Sequence, residues 1–134
     1  MILLDTHVLI WAVDDDPKLG ARARAIIEAD DDRRVSTMVA WELAMLARQE
    51  RLSFAMTLDA WLERSLRNLE AHDVPVTRAI ARGAGGLAGG LHGDPCDRIM
   101  VATARHLGCV LLTADEKILR YAAAGHVNAV DARD

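Results

Sequence analysis

With 134 residues, 51% of them hydrophobic, the chain is long and apolar enough to bury a core without a disulfide framework or a structural metal. Its formal charge of −4, from 16 basic and 20 acidic residues, runs against the basic excess usual for proteins that bind nucleic acid, so composition alone does not point to a nuclease. No run approaches the ~20 apolar residues of a membrane-spanning helix.

In chain order, Ile2 to Leu4 reads as a short apolar strand and Thr6 to Val13 as a helix, broken by Asp14-Asp15-Asp16-Pro17. Asp5 and His7 interrupt this apolar start and no basic residue precedes it, so a signal peptide fits poorly and a cytoplasmic location is expected. Leu19 to Ala29 resumes helical spacing, Val35 to Thr37 reads as a second strand, and Met38 to Gln49 and Thr57 to Leu69 as helices. Val74-Pro75-Val76 fits only an edge strand, because proline cannot donate to a ladder. Arg78 to Gly90 begins as a helix and loosens into a loop; no Lys-Ser/Thr follows its glycines, so it is no phosphate loop. Asp94-Pro95 starts a helix, with Asp as N-cap and Pro at the first position, that ends at Gly108. Cys109 to Leu112 is a buried strand, Thr113-x-x-Glu116 matches a capping box opening a helix to Gly125, and Val127 to Val130 is a last strand. Strands alternating with helices predict an α/β fold, a central parallel sheet flanked by helices on both faces, in one domain over residues 1–134. Cys96 and Cys109 form no CxxC pair and are expected as reduced, partly buried thiols.

In open α/β sheets, ligands sit beyond the carboxyl ends of the strands. Asp5, Glu42, Asp94, Asp97 and Asp115 all fall there. Carboxylates converging on one crevice repel one another, and such a site makes sense around a hard cation such as Mg²⁺. Each acid also has a plain structural reading: Asp94 as an N-cap, Asp97 and Asp115 as first-turn acids that favour the helix dipole, Glu42 as a solvated helix acid. Asp5 is the hardest to explain that way, because a carboxylate between apolar segments is expensive unless something binds it. Two other acidic α/β designs fit less well. Aspartyl-phosphate phosphatases need a second Asp where His7 stands, and receiver domains need an acid after the third strand, where Val76-Thr77 has none.

Four segments, in order and at matching spacing, resemble the PIN-domain family, especially its VapC-type toxins. They are Met1-Ile-Leu-Leu-Asp5-Thr-His-Val-Leu-Ile-Trp11, Ser36 through Trp41-Glu42-Leu-Ala, His92-Gly-Asp-Pro-Cys-Asp97-Arg through Ala104, and Leu111-Leu-Thr113-Ala-Asp115. Cys96 departs from the Phe or Ala of many relatives, a change expected to alter packing rather than chemistry. The resemblance implies a PIN fold and an Mg²⁺- or Mn²⁺-dependent endoribonuclease that hydrolyses RNA by metal-assisted attack of water. It implies a catalytic quartet of Asp5, Glu42, Asp97 and Asp115, with Asp5, Asp97 and Asp115 as metal ligands. Asp94 falls at the helix-capping acid, and Thr6 and Thr113 at hydroxyls that support the acids. It also implies inhibition by a cognate VapB-type antitoxin, and a homodimer.

Arg98 is a candidate RNA phosphate contact, with a surface salt bridge as the plainer reading, and Arg22, Arg24, Arg33 and Arg34 form either a basic RNA path or a solvated face. His7 and His92 fall near the crevice, but the acids account for it without a histidine acid and base. Trp11, Trp41 and Trp61 sit in apolar helical stretches and are expected in the core or as anchors for a partner.

Overall fold

Ile2, Leu3 and Leu4 form strand β1, and all three are buried, the pattern of a strand covered on both faces. The computed structural model describes residues 1–134 and places β1 at the centre of a five-stranded parallel sheet. The other strands are β2 (Arg33–Ser36), β3 (Ala71–Val74), β4 (Val110–Thr113) and β5 (Ala129–Asp131), in the order β3-β2-β1-β4-β5. Seven helices pack around the sheet: α1 (Thr6–Asp14), α2 (Ala21–Ala29), α3 (Met38–Arg48), α4 (Leu58–Asn68), α5 (Arg78–Gly85), α6 (Pro95–Leu107) and α7 (Glu116–Ala123). The chain moves from β1 towards β2 and β3 on one side, then from β4 to β5 on the other. Right-handed crossovers running in opposite directions put helices on both faces.

The core is a cluster centred on β1 and β4, with Leu3, Leu4, Leu9, Leu43, Met100, Leu111, Leu112 and Ile118 essentially inaccessible. Parallel registry sets Leu4 opposite Leu112, and the Asp5 N–H continues the ladder by donating to the Leu112 carbonyl at 3.0 Å. No helix is long and apolar enough to cross a membrane.

Several element boundaries differ from the sequence reading. Strand β3 is an edge strand, as expected, but it occupies residues 71–74 rather than 74–76. Ser36 pairs with Val74, and Pro75 then stops the ladder because it has no N–H. Strand β2 starts earlier than expected, at Arg33, whose guanidinium is tied to the carbonyls of Ile27, Glu28 and Leu69. Helix α2 begins at Ala21 rather than Leu19; Leu19 is buried in the core ahead of it. Thr113 does not open a capping box. It ends β4, and Asp115 caps α7 by accepting from the N–H groups of Lys117 and Ile118. Both cysteines are free and buried.

Candidate active site

Strands β1 and β4 are neighbours whose connections leave in opposite directions, so their carboxyl ends diverge into a crevice. Asp5 follows β1 and Asp115 follows β4. Asp94 and Asp97 enter from the start of α6, and Glu42 from the second turn of α3. All five line one open crevice of about 710 Å³.

The carboxylates are not equally free. Asp5 caps α1: Oδ1 accepts from the Thr6 N–H at 2.8 Å, and Oδ2 from the Thr113 hydroxyl at 2.6 Å. Thr113 Oγ1 in turn accepts from the Asp115 N–H at 3.0 Å, so one hydroxyl links two acids. Asp94 Oδ1 caps α6 through the N–H groups of Cys96 and Asp97, at 2.9 and 3.2 Å. Asp115 caps α7 through Oδ1 alone, leaving Oδ2 outside the cap. Asp97 caps nothing; it stands in the first turn of α6 with its side chain 15% exposed. Donor atoms of His92, Asp97 and Asp115 lie within 4.8 Å of one another. The Cys96 thiol is buried against Glu42, which helps to push its pKa up.

Electrostatics follow from this crowding. Burial is the largest cause raising the pKa of Asp5; the Thr113 and Thr6 hydrogen bonds oppose it, and Glu42 and Asp115 add repulsion. Asp97 is pushed up to about 8, first by burial and then by the charges of Asp115, Asp94, Asp5 and Glu42. Acids held this close, with carboxylate oxygens left over, suit a hard divalent cation, which takes oxygen ligands and cancels their repulsion. The donor set therefore fits such an ion, with Asp97 and Asp115 best placed to hold it and Asp5 beside them.

The expected supporting residues divide. Thr113 organises two acids, whereas the buried Thr6 hydroxyl has no hydrogen-bond partner and only its N–H supports Asp5. The phosphate contact expected of Arg98 is not the geometry found. Its guanidinium turns inward and donates to five carbonyls, those of Ala84, Gly85, Leu87, Leu91 and His92, at 2.9 to 3.4 Å. Of the arginines considered as an RNA path, Arg24 pairs with Asp15, Arg34 with Asp32, and Arg33 with backbone carbonyls. Trp61 packs on the core beside Phe54, Trp11 lines the crevice, and Trp41 is 52% exposed.

Sequence reasoning missed the cations at the crevice. Lys18, Arg51 and Arg133 line it with the acids. Arg133 is paired with Asp131 and Glu116, whereas Lys18 and Arg51 have no ion-pair partner. Lys18 and Arg51 lie in connections between helices, where no motif marks them. His92 carried a weak signal, since it stands two residues before the α6 cap.

Comparison with known proteins agrees with this architecture. A profile of the PIN domain matches residues 2–124. The chain is 34% identical over 117 residues to Ribonuclease VapC22 of Mycobacterium tuberculosis, covering 87% of this chain and 88% of that one. A toxin–antitoxin complex from Klebsiella pneumoniae shares the fold with a TM-score of 0.64 at 19% identity, covering 98% of this chain and 97% of that one. VapBC2 from Rickettsia felis, bound to a DNA fragment from its promoter, does so with a TM-score of 0.62 at 15% identity, covering 97% and 98%. The chain belongs to the PIN-domain family, as a VapC-type member.

Proposed function

We propose that the protein is a metal-dependent endoribonuclease and the toxin of a VapBC-type toxin–antitoxin pair, acting as one domain over residues 1–134. The observation that carries the reading is the convergence of Asp5, Glu42, Asp97 and Asp115 on one crevice at the switch point of the sheet. The relative named as a ribonuclease and the solved toxin–antitoxin complexes support it.

Asp97 and Asp115, with Asp5 beside them, are the ligands for Mg²⁺ or Mn²⁺. When bound, such an ion neutralises phosphate charge and activates water for attack on phosphorus. Thr113 holds Asp5 and the backbone of Asp115 in fixed relation, so the site is built before substrate arrives. Glu42 faces the same space and orients or deprotonates the attacking water. Lys18 and Arg51, which line the crevice free of carboxylate partners, contact RNA phosphates and offset the net negative charge. Trp11, Met45 and Leu46 form an apolar wall beside the acids, and Trp11 and the exposed Trp41 offer aromatic anchors for a VapB-type antitoxin segment that would cover the crevice. The resemblance to VapC-type toxins also implies a cytoplasmic homodimer.

The test is cleavage of RNA with Mg²⁺, with Mn²⁺ and in excess chelator, followed by analysis of the new ends. Attack by water leaves the ribose 2′-hydroxyl out of the reaction, so cleavage should need the cation and give 5′-phosphate and 3′-hydroxyl ends. Cyclic 2′,3′-phosphate ends, or full activity in chelator, would overturn the proposal.

A further inference from the structure

We propose that His92 is a positioning residue: its Nε2–H holds the Asp97 carboxylate, and the ring does not itself bind the cation. The inference rests on the reading of Asp97 as a metal ligand. His92 lies in the loop ahead of α6, and its ring reaches back to both acids at the helix start. The backbone N–H of Asp94 donates to His92 Nδ1 at 3.2 Å. A backbone amide always carries its hydrogen, so Nδ1 must present a lone pair, which puts the ring proton on Nε2. That nitrogen is shut off from solvent and lies 3.1 Å from Asp97 Oδ2. The approach is oblique, so the donor has no well-directed partner as the ring stands, and Asp97 is the acceptor beside it. A buried donor without a partner is costly, so the arrangement favours closing this contact.

By distance alone, His92, Asp97 and Asp115 look like three ligands for one ion. Ligation through Nε2 would require the proton to move to Nδ1. There it would meet the Asp94 N–H donor to donor, while that same amide belongs to the residue that caps α6. Steering leaves every hydrogen bond intact. Asp97 is already fixed at its backbone by the first turn of the helix; rotation of its carboxylate is the remaining freedom, and His92 restricts it. Hydrogen bonds of this kind behind a ligand commonly set metal affinity.

Long-range proton–nitrogen NMR of the full chain reads the tautomer directly, without RNA. The proton should be on Nε2, with Nδ1 bare, both without metal and with Mg²⁺. A proton on Nδ1, protons on both nitrogens, or loss of the Nε2 proton when Mg²⁺ is added would overturn the proposal. Calorimetric titration with Mn²⁺ then compares two variants. His92→Gln keeps an N–H near the Nε2 position, and its Kd should rise by less than about 10-fold over wild type, below the loss expected when such a partner is removed. His92→Asn keeps an acceptor near the Nδ1 position but lacks the far donor, and should bind about 10- to 100-fold more weakly. Equal weakening, or a milder effect in Asn, would overturn the proposal; should a variant fail to fold, the tautomer of the wild type decides. If the wild type binds no Mn²⁺, the ligand reading of Asp97 falls and this inference falls with it. If it binds Mn²⁺ and shows the other tautomer, only this inference falls.

Discussion

Asp94 and Asp97 stand three residues apart on one helix and line the same crevice, yet their carboxylates do different work. Asp94 accepts from two N–H groups of the helix start, a role that asparagine fills nearly as well. Asp97 caps nothing, and burial first and then the neighbouring acids push its pKa up to about 8, an arrangement with no structural benefit unless a cation offsets it. Asp97→Asn should therefore lower RNA cleavage by at least about 10²-fold, the scale of losing one group that stabilises charge in the reaction. Asp94→Asn should keep most of the activity. Steady-state cleavage by the two purified variants checks this, and the reverse order would make Asp94 the ligand.

At the scale of elements, helix α6 presents the site. Asp94 caps it, Pro95 takes its first position, and Gly108 ends it in the left-handed region at φ 64°. The loop ahead of it, residues 86–94, has no regular structure of its own, and Arg98 supplies the order. From inside α6, its five N–H groups gather carbonyls from the end of α5 through His92. The Tyr121 hydroxyl holds the same loop at the Ala88 carbonyl. Arg98→Ala should cost roughly 2–3 kcal/mol of stability, because charged donors to otherwise unpaired carbonyls are among the stronger hydrogen bonds. It should also speed amide exchange in residues 86–92. Urea unfolding and hydrogen exchange measure both effects. A variant with unchanged stability that loses only RNA affinity would restore the phosphate contact that the sequence suggested.

For the whole molecule, the acid cluster predicts a specific dependence of stability on pH. Asp5 and Asp97 have folded pKa values above those of an unfolded chain, so between about pH 4 and 8 the folded state holds more protons. Metal-free stability should then fall as pH rises through that window. Asp30, Asp32 and Asp131, whose pKa values are lowered, have the opposite sign, but their contribution is lost only below about pH 4. The metal-free protein should melt lower at pH 8 than at pH 5. Asp97→Asn should flatten this difference and raise the metal-free melting temperature at pH 8. A cation that binds only the folded state adds RT ln(1 + [L]/Kd), about 2.7 kcal/mol at 100 times Kd, so Mn²⁺ at pH 8 should raise the wild-type melting temperature by several degrees. Scanning calorimetry of wild type and Asp97→Asn at both pH values decides the matter. Identical melting of the two proteins in every condition would leave the acids without a shared site.

Local chemistry determined much of this protein in advance. The unbroken apolar run Ile2–Leu4 marks a doubly covered strand, Asp94-Pro95 fixes the start of α6 and Gly108 its end, because these residues act through their own backbone or their nearest neighbours. The order of strands and helices was enough for a parallel sheet, and the rule that ligands bind at its carboxyl edge was enough to gather Asp5, Glu42, Asp97 and Asp115. Boundaries hidden under charge or proline were not legible. The start of β2 at Arg33 depends on carbonyls from α2 and from Leu69, and β3 slid upstream because its register is set by β2. Thr113 looked locally like a capping residue, since its spacing to Glu116 is right, and only the family resemblance set its hydroxyl with the acids; its place beside Asp5 in the sheet, 108 positions away in the chain, is what turns that hydroxyl to them. Arg98 looked like a ligand for phosphate, and only the path of the loop before α6 brought it five carbonyls instead. Long polar side chains take whichever partner lies within reach, and reach across the fold belongs to the tertiary structure.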